Sequence, residues 1–213
     1  RADLLLRAGA LSRDLRRESR GASPPGLSAF GIRKAAWRTL FNVAGNQIVW
    51  FSAVIAAGEG SAWPGVLAAA VFVGMHLAWA PRRGDEVRLV ALAVACGLVV
   101  DGVAAAQGWV TYRASMAGGA TAPAWILALW ASLAVTLNGA MRSLQARWWA
   151  GALLGGIGGP LAYLAAARGW GASEFASPAW RGLLWLAAAW AVALPGLLAA
   201  ARWQAGRSQY ASR

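Results

Sequence analysis

A single histidine and a single cysteine are all that this 213-residue sequence offers a metal ion or a disulfide. A structural zinc site takes about four such ligands, so no metal and no disulfide framework is expected. The same shortage removes zinc peptidases and His-rich di-iron enzymes. Acidic residues are scarce too, 8 against 20 Lys and Arg. Charged residues reach 13% in all, against about 25% in soluble domains. With 59% hydrophobic residues and a mean hydropathy of +0.48, disorder is excluded as well. There is no P-loop, no nucleotide-binding glycine fingerprint and no Ser-His-Asp order, and no cofactor is expected. What remains is an integral membrane protein.

Six apolar runs of membrane length are present, over residues 41–57, 63–80, 87–106, 123–141, 148–167 and 180–201. None alternates strictly, which argues against a transmembrane barrel. The links are short, so neighbouring helices must run antiparallel. The fold class expected is therefore all-α, a polytopic bundle of six transmembrane helices. Residues 1–40 form a basic arm before it, and residues 202–213 a basic tail.

Positive charge sets the orientation. Of the 20 Lys and Arg, 17 fall on the side of the two termini, and only Arg113, Arg168 and Arg181 on the other. The positive-inside rule then places both termini in the cytoplasm. The net charge of +12 is read as topology and as contact with anionic lipid head groups, not as nucleic-acid binding. Ten of the 14 Trp lie near span ends, as an interfacial belt requires. Trp50, Trp130, Trp185 and Trp190 fall deeper and read as packing residues. In the arm, Leu4, Ala8, Leu11 and Leu15 recur at helical spacing among arginines. That predicts a surface helix on anionic lipid over residues 1–20, ended by Gly21-Ala-Ser-Pro-Pro-Gly26. The chain begins at Arg1 without Met, which leaves the true N-terminus open.

Polar groups inside spans are costly and face other helices. They are Asn42, Asn46 and Gln47 in the first span, His76 in the second and Asp101 in the third. Thr136 and Asn138 follow in the fourth, and Tyr163 in the fifth. At ~1.5 Å per residue, Asn46, His76 and Asn138 lie roughly 6–9 Å to the cytoplasmic side of the midplane. Asp101 and Tyr163 lie on the outer side, so a direct Asp101–His76 dyad is not expected. Ala93, Gly97 and Asp101 share one face of the third span. Gly151, Gly155, Gly159 and Tyr163 share one face of the fifth. Small faces pack closely. An Asp in a span also needs a partner, so Asp101 is expected to meet the Tyr163 hydroxyl across a contact between the third and fifth spans. Pro160 should kink the fifth. Three readings stay open for the polar layers: hydrogen bonds that hold helices together, a proton or substrate path through Asp101, and a lipid enzyme site built from His76, Asn46 and Asn138. A tetrapyrrole on His76 has no supporting spacing.

The order of these weak motifs resembles a family of small bacterial inner-membrane proteins, domain of unknown function 2878. It is carried by Asn42, Asn46, Gln47 and Trp50, by His76-Leu-Ala-Trp79, by Asp101, by the run from Ala122 to Asn138, and by Gly158-Gly-Pro-Leu-Ala-Tyr163. It covers about residues 40–200. The resemblance implies no established activity. Its members are often encoded beside cyclopropane-type fatty-acid modification enzymes, which implies a non-catalytic accessory role in lipid modification or envelope stress, with a lipid-modifying enzyme as partner. The alternatives are a small transporter or lipid-handling channel using Asp101, and an integral membrane enzyme acting on a lipid.

The charge asymmetry makes the topology testable. Reporter fusions at Arg147 and at the C-terminus should read cytoplasmic, and fusions near Ser115 and Ser173 periplasmic. A periplasmic C-terminus would mean an odd number of crossings and would overturn the arrangement.

Overall fold

The computed structural model describes residues 29–115 and 120–210. Contacts divide the chain between Trp37 and Arg38, and all that follows concerns the unit from Arg38 onward. The surface helix expected over residues 1–20 lies outside the described residues. The elements are α1 (Ala29–Gly58), α2 (Trp63–Trp79), α3 (Arg83–Ala106), β1 (Val110–Tyr112), α4 (Ala124–Leu137), a 3-10 turn (Arg142–Leu144), α5 (Trp148–Trp170), β2 (Ser173–Phe175) and α6 (Trp180–Tyr210). Both α1 and α6 outrun the apolar segments that announce them. Hydropathy marks where apolar residues stop, but Ala, Arg and Gln continue a helix readily.

Four helical stretches are long and apolar enough to cross a membrane: Thr39–Gly58, Arg83–Ala106, Trp148–Trp170 and Trp180–Arg207. The chain is a helical, multi-pass membrane protein. Helices α2 and α4 are shorter, with 17 and 14 residues. At ~1.5 Å per residue α4 covers only about 21 Å, less than the ~30 Å of hydrocarbon. The sequence suggests a span over 123–141 because Gly139-Ala-Met141 extends the apolar run past Asn138. In the structure the helix stops at Asn138, and Gln145 Nε2 donates to the Leu137 carbonyl at 3.0 Å. Eight of the 14 residues of α4 are buried, so it is an inner helix. It packs against α2 and α3, while α5 packs against α6, and α6 against α3.

Beyond the helices there is a two-stranded antiparallel sheet, its strands separated in the chain by α4 and α5, that periodicity does not reveal. Val110 pairs with Phe175, Thr111 with Glu174, and Tyr112 with Ser173. Each strand starts just after a glycine in the left-handed region, Gly108 (φ 65°) after α3 and Gly171 (φ 62°) after α5. That conformation closes the helix end and turns the chain back. The Trp109 N–H returns to the Ala104 carbonyl at 2.9 Å, and the Ala172 N–H to Ala166 at 3.2 Å. Val110 and Tyr112 then point inward. Tyr112 is thereby delivered over α3 from a link that reads as a plain loop. We call this end of the bundle the sheet end.

Two kinds of glycine should answer an added methyl with opposite signs. Nothing would touch a Cβ at Gly102 inside α3, so Gly102→Ala should leave stability unchanged or raise it by about 0.5–1 kcal/mol. Gly108→Ala also meets no atom, but its positive φ should cost about 1–2 kcal/mol. Thermal unfolding in detergent distinguishes them. Equal shifts would rule out the left-handed turn.

Candidate functional site

Asp101 is fully buried, and three neutral donors converge on it. The Tyr163 hydroxyl donates to Oδ1 at 2.5 Å and the Tyr112 hydroxyl to the same oxygen at 2.8 Å. The Trp130 indole N–H donates to Oδ2 at 2.7 Å. Among the described residues no cation is paired with the acid. Tyr163 and Asp101 thus meet as their depths suggest. Tyr112 and Trp130 are additions that sequence reasoning missed. Depth marks Trp130 as packing, and nothing in the order of residues directs its N–H toward Asp101. Burial first, and then the neighbouring Asp101 carboxylate, push the Tyr112 phenol far above its ordinary range, so it stays protonated and donates.

The small faces are occupied differently from the sequence expectation. On α3, a Cβ at Gly97 would overlap the Trp130 indole of α4. On α5, a Cβ at Gly155 would overlap the Trp190 carbonyl of α6. One at Gly159 would lie 2.7 Å from the Trp190 ring, and one at Gly151 2.9 Å from Leu198. Ala93 is fully buried on the same face of α3 as Gly97. Gly97 and Gly159 therefore make room for the rings of Trp130 and Trp190, and Gly155 for a close approach of the α6 backbone, rather than for a contact between α3 and α5. The reason is ring size: Trp130 and Trp190 stack at 4.2 Å and 18° and need the space that two small faces provide. Trp125, which the sequence places in the interfacial belt, is 1% exposed and donates to the Arg113 carbonyl at 2.9 Å. Trp185 donates to the Val100 carbonyl at 2.8 Å.

A second polar group sits at the other end of the bundle. His76 Nε2 lies 3.4 Å from Glu86 Oε2. Asn138 Nδ2 donates to Glu86 Oε1 at 3.0 Å, and Gln145 Nε2 to Asn138 Oδ1 at 3.1 Å. Asn42 is buried against Gly139, the neighbour of Asn138. So His76 and Asn138 are joined through Glu86, a residue the sequence leaves in a link. Asn46 is not part of this group. Its Oδ1 accepts the Ser132 hydroxyl at 3.0 Å. Among the described residues no cluster of three or more His, Cys, Asp or Glu is placed to hold a metal ion.

Between α1, α4, α5 and α6 lies a cavity of about 600 Å³. Its floor includes Ile126, Trp130 and Leu194, all nearly inaccessible, while Phe51, Leu154 and Leu161 at its rim are exposed. Asn46, Gln47 and Ser132 give it a polar edge. Tyr163, Trp130 and Trp190 line it, but Asp101 and His76 do not. The walls are apolar helix faces, and the opening is lateral, between helices that cross the membrane.

Over residues 39–196 the chain matches the family described as protein of unknown function (DUF2878). It belongs to that family. Neither a curated protein nor a solved structure matches the chain. The family bounds enclose the Asp101 group, the His76–Glu86–Asn138 group and the whole cavity lining.

Removing one member of the Asp101 group strands the others, and a stranded buried donor costs about 1–3 kcal/mol. Asp101→Leu strands three and should be the most destabilising substitution here. Asp101→Asn keeps an acceptor and should cost less, and Tyr112→Phe or Tyr163→Phe about 1 kcal/mol each. A chemical-denaturation series in detergent checks the order. Asp101→Leu at wild-type stability would show that the bonds do not form.

Proposed function

We propose that this protein is a non-catalytic accessory protein of the bacterial inner membrane that holds a lipid chain for a lipid-modifying enzyme. The observation that carries the reading is the lateral cavity. Its rim of Phe51, Leu154 and Leu161 faces the lipid phase, so hydrocarbon is the solvent at its mouth. A volume of about 600 Å³ suits one acyl chain or a comparable apolar tail. The polar edge of Asn46, Gln47 and Ser132 gives the occupant one oriented end. Asp101 supports the accessory reading over transport, because its oxygens are already taken by three donors and it does not line this cavity. With both termini in the cytoplasm, the mouth would meet an enzyme partner sideways within the bilayer. A link to envelope stress fits the same role.

Gly158 lines the cavity, and a Cβ there meets only Leu154, at 3.7 Å. Gly158→Phe should therefore fold and fill the space. Native mass spectrometry of the purified protein should show a retained lipid in the wild type and at least a tenfold loss in this variant. Equal lipid retention in both would remove the cavity from the function.

A further inference from the structure

A second cleft lies at the end opposite the two-stranded sheet, where α5 begins and α6 runs past its apolar segment. Its volume is about 520 Å³, and its lining includes Trp148, Arg202, Trp203, Gly206 and Arg207. We propose that it is a binding site for the phosphodiester head group of an anionic phospholipid. The site is separate from the lateral cavity: the two share no lining residue.

Charge is the first argument. Arg202 and Arg207 form no ion pair among the described residues. The acids described at this end are Asp85 and Glu86, and they face Arg88 and His76. Two guanidinium groups thus share one cleft with no carboxylate lining it. Each offers a planar fork of donors that matches phosphate oxygens. The second argument is depth. Trp148 and Trp203 are 74% and 62% exposed at the ends of crossing helices, where an indole sits at the level of lipid head groups. The third is preorganisation. The Arg207 guanidinium lies 4.6 Å over the Trp203 ring, which fixes it beside the cleft, and Gly206 adds no side chain to block the way. The missing carboxylate also decides between lipids. A zwitterionic head group brings an ammonium that finds no anion here and meets two arginines instead. An anionic head group brings only the charge the cleft lacks.

The test uses the full chain, in detergent mixed with phosphatidylglycerol or phosphatidylcholine, with bound lipid counted by native mass spectrometry. Wild type should prefer phosphatidylglycerol. R202Q and R207Q should each lower that preference about fivefold, the worth of one arginine near an anionic surface, and the double variant by more than tenfold. The charge-matched double variant R168Q/R181Q, at the sheet end, should keep it. The proposal is overturned if R202Q/R207Q and R168Q/R181Q behave alike, since the preference would then be bulk charge. It is overturned too if millimolar inorganic phosphate displaces the lipid, because the site would then be one for free phosphate. Lipid retention by Gly158→Phe should be lost from the cavity while the phosphatidylglycerol preference stays, so the two sites fail or stand separately.

Discussion

An acid buried among apolar helices must be given donors, and here it has three neutral ones and no cation. Burying a lone carboxylate is prohibitive unless hydrogen bonds replace the water it loses. Each donor to Asp101 comes from a different element: Tyr112 from β1, Trp130 from α4 and Tyr163 from α5. One side chain on α3 therefore fixes three neighbours at once. The requirement extends outward. Trp130 reaches the acid because position 97 is glycine, and Tyr112 because Gly108 turns the chain back over α3. Trp190 stacks on Trp130 and brings α6 into the same group, with Gly155 and Gly159 of α5 leaving it space. Where no charge pair is present, geometry decides, and three glycines, Gly97, Gly155 and Gly159, have no room for a side chain beside this group.

The short helix α4 follows from the same constraint. A 14-residue helix cannot span a bilayer by itself, and facing lipid its ends would leave backbone groups unpaired. Inside the bundle both ends are met. Pro123 starts it without an N–H to satisfy, and Gln145 accepts the task at the other end by bonding both the Leu137 carbonyl and Asn138. The His76–Glu86–Asn138 contacts then close that end against α2 and α3. The two polar groups, which the sequence places on opposite sides of the midplane, meet one inner helix at different levels, Asp101 at Trp130 in its middle and Glu86 at Asn138 at its end.

Much of this was legible because helical rise and face are simple functions of position. They brought Asp101 and Tyr163 to the same depth, and they placed the glycines of α5 on one stripe. They could not say what fills the space a glycine leaves, and the occupant was a tryptophan in each of two cases. Trp130 and Trp125 were illegible for a related reason. Depth statistics sort indoles into belt and core, but an indole N–H finds a carbonyl or carboxylate through tertiary contacts alone. The two-stranded sheet was invisible because three-residue strands have no usable period and its partners lie far apart in the chain, although Val110-Thr-Tyr112 is composed of good strand formers. Glu86 was passed over because an acid at a helix start looks like surface. Its neighbours across the bundle make it part of a buried group.

The same packing bears on how the lateral cavity can discriminate. Its floor is made by the rings of Trp130, Trp190 and Tyr163, and two of those rings are held by hydrogen bonds to Asp101. A floor held in place before any ligand arrives loses little entropy when one binds, so shape rather than induced fit sets what is accepted. The mouth is different. Phe51, Leu154 and Leu161 are exposed apolar side chains on α1 and α5 with lipid as their neighbour, and they can move as a chain enters. On the proposed reading, held aromatics below and movable Phe51, Leu154 and Leu161 above select hydrocarbon by width. Selection by head-group charge then falls to the second cleft, whose arginines lie on α6 beside the start of α5. On that reading, tail and head group are recognised at separate places.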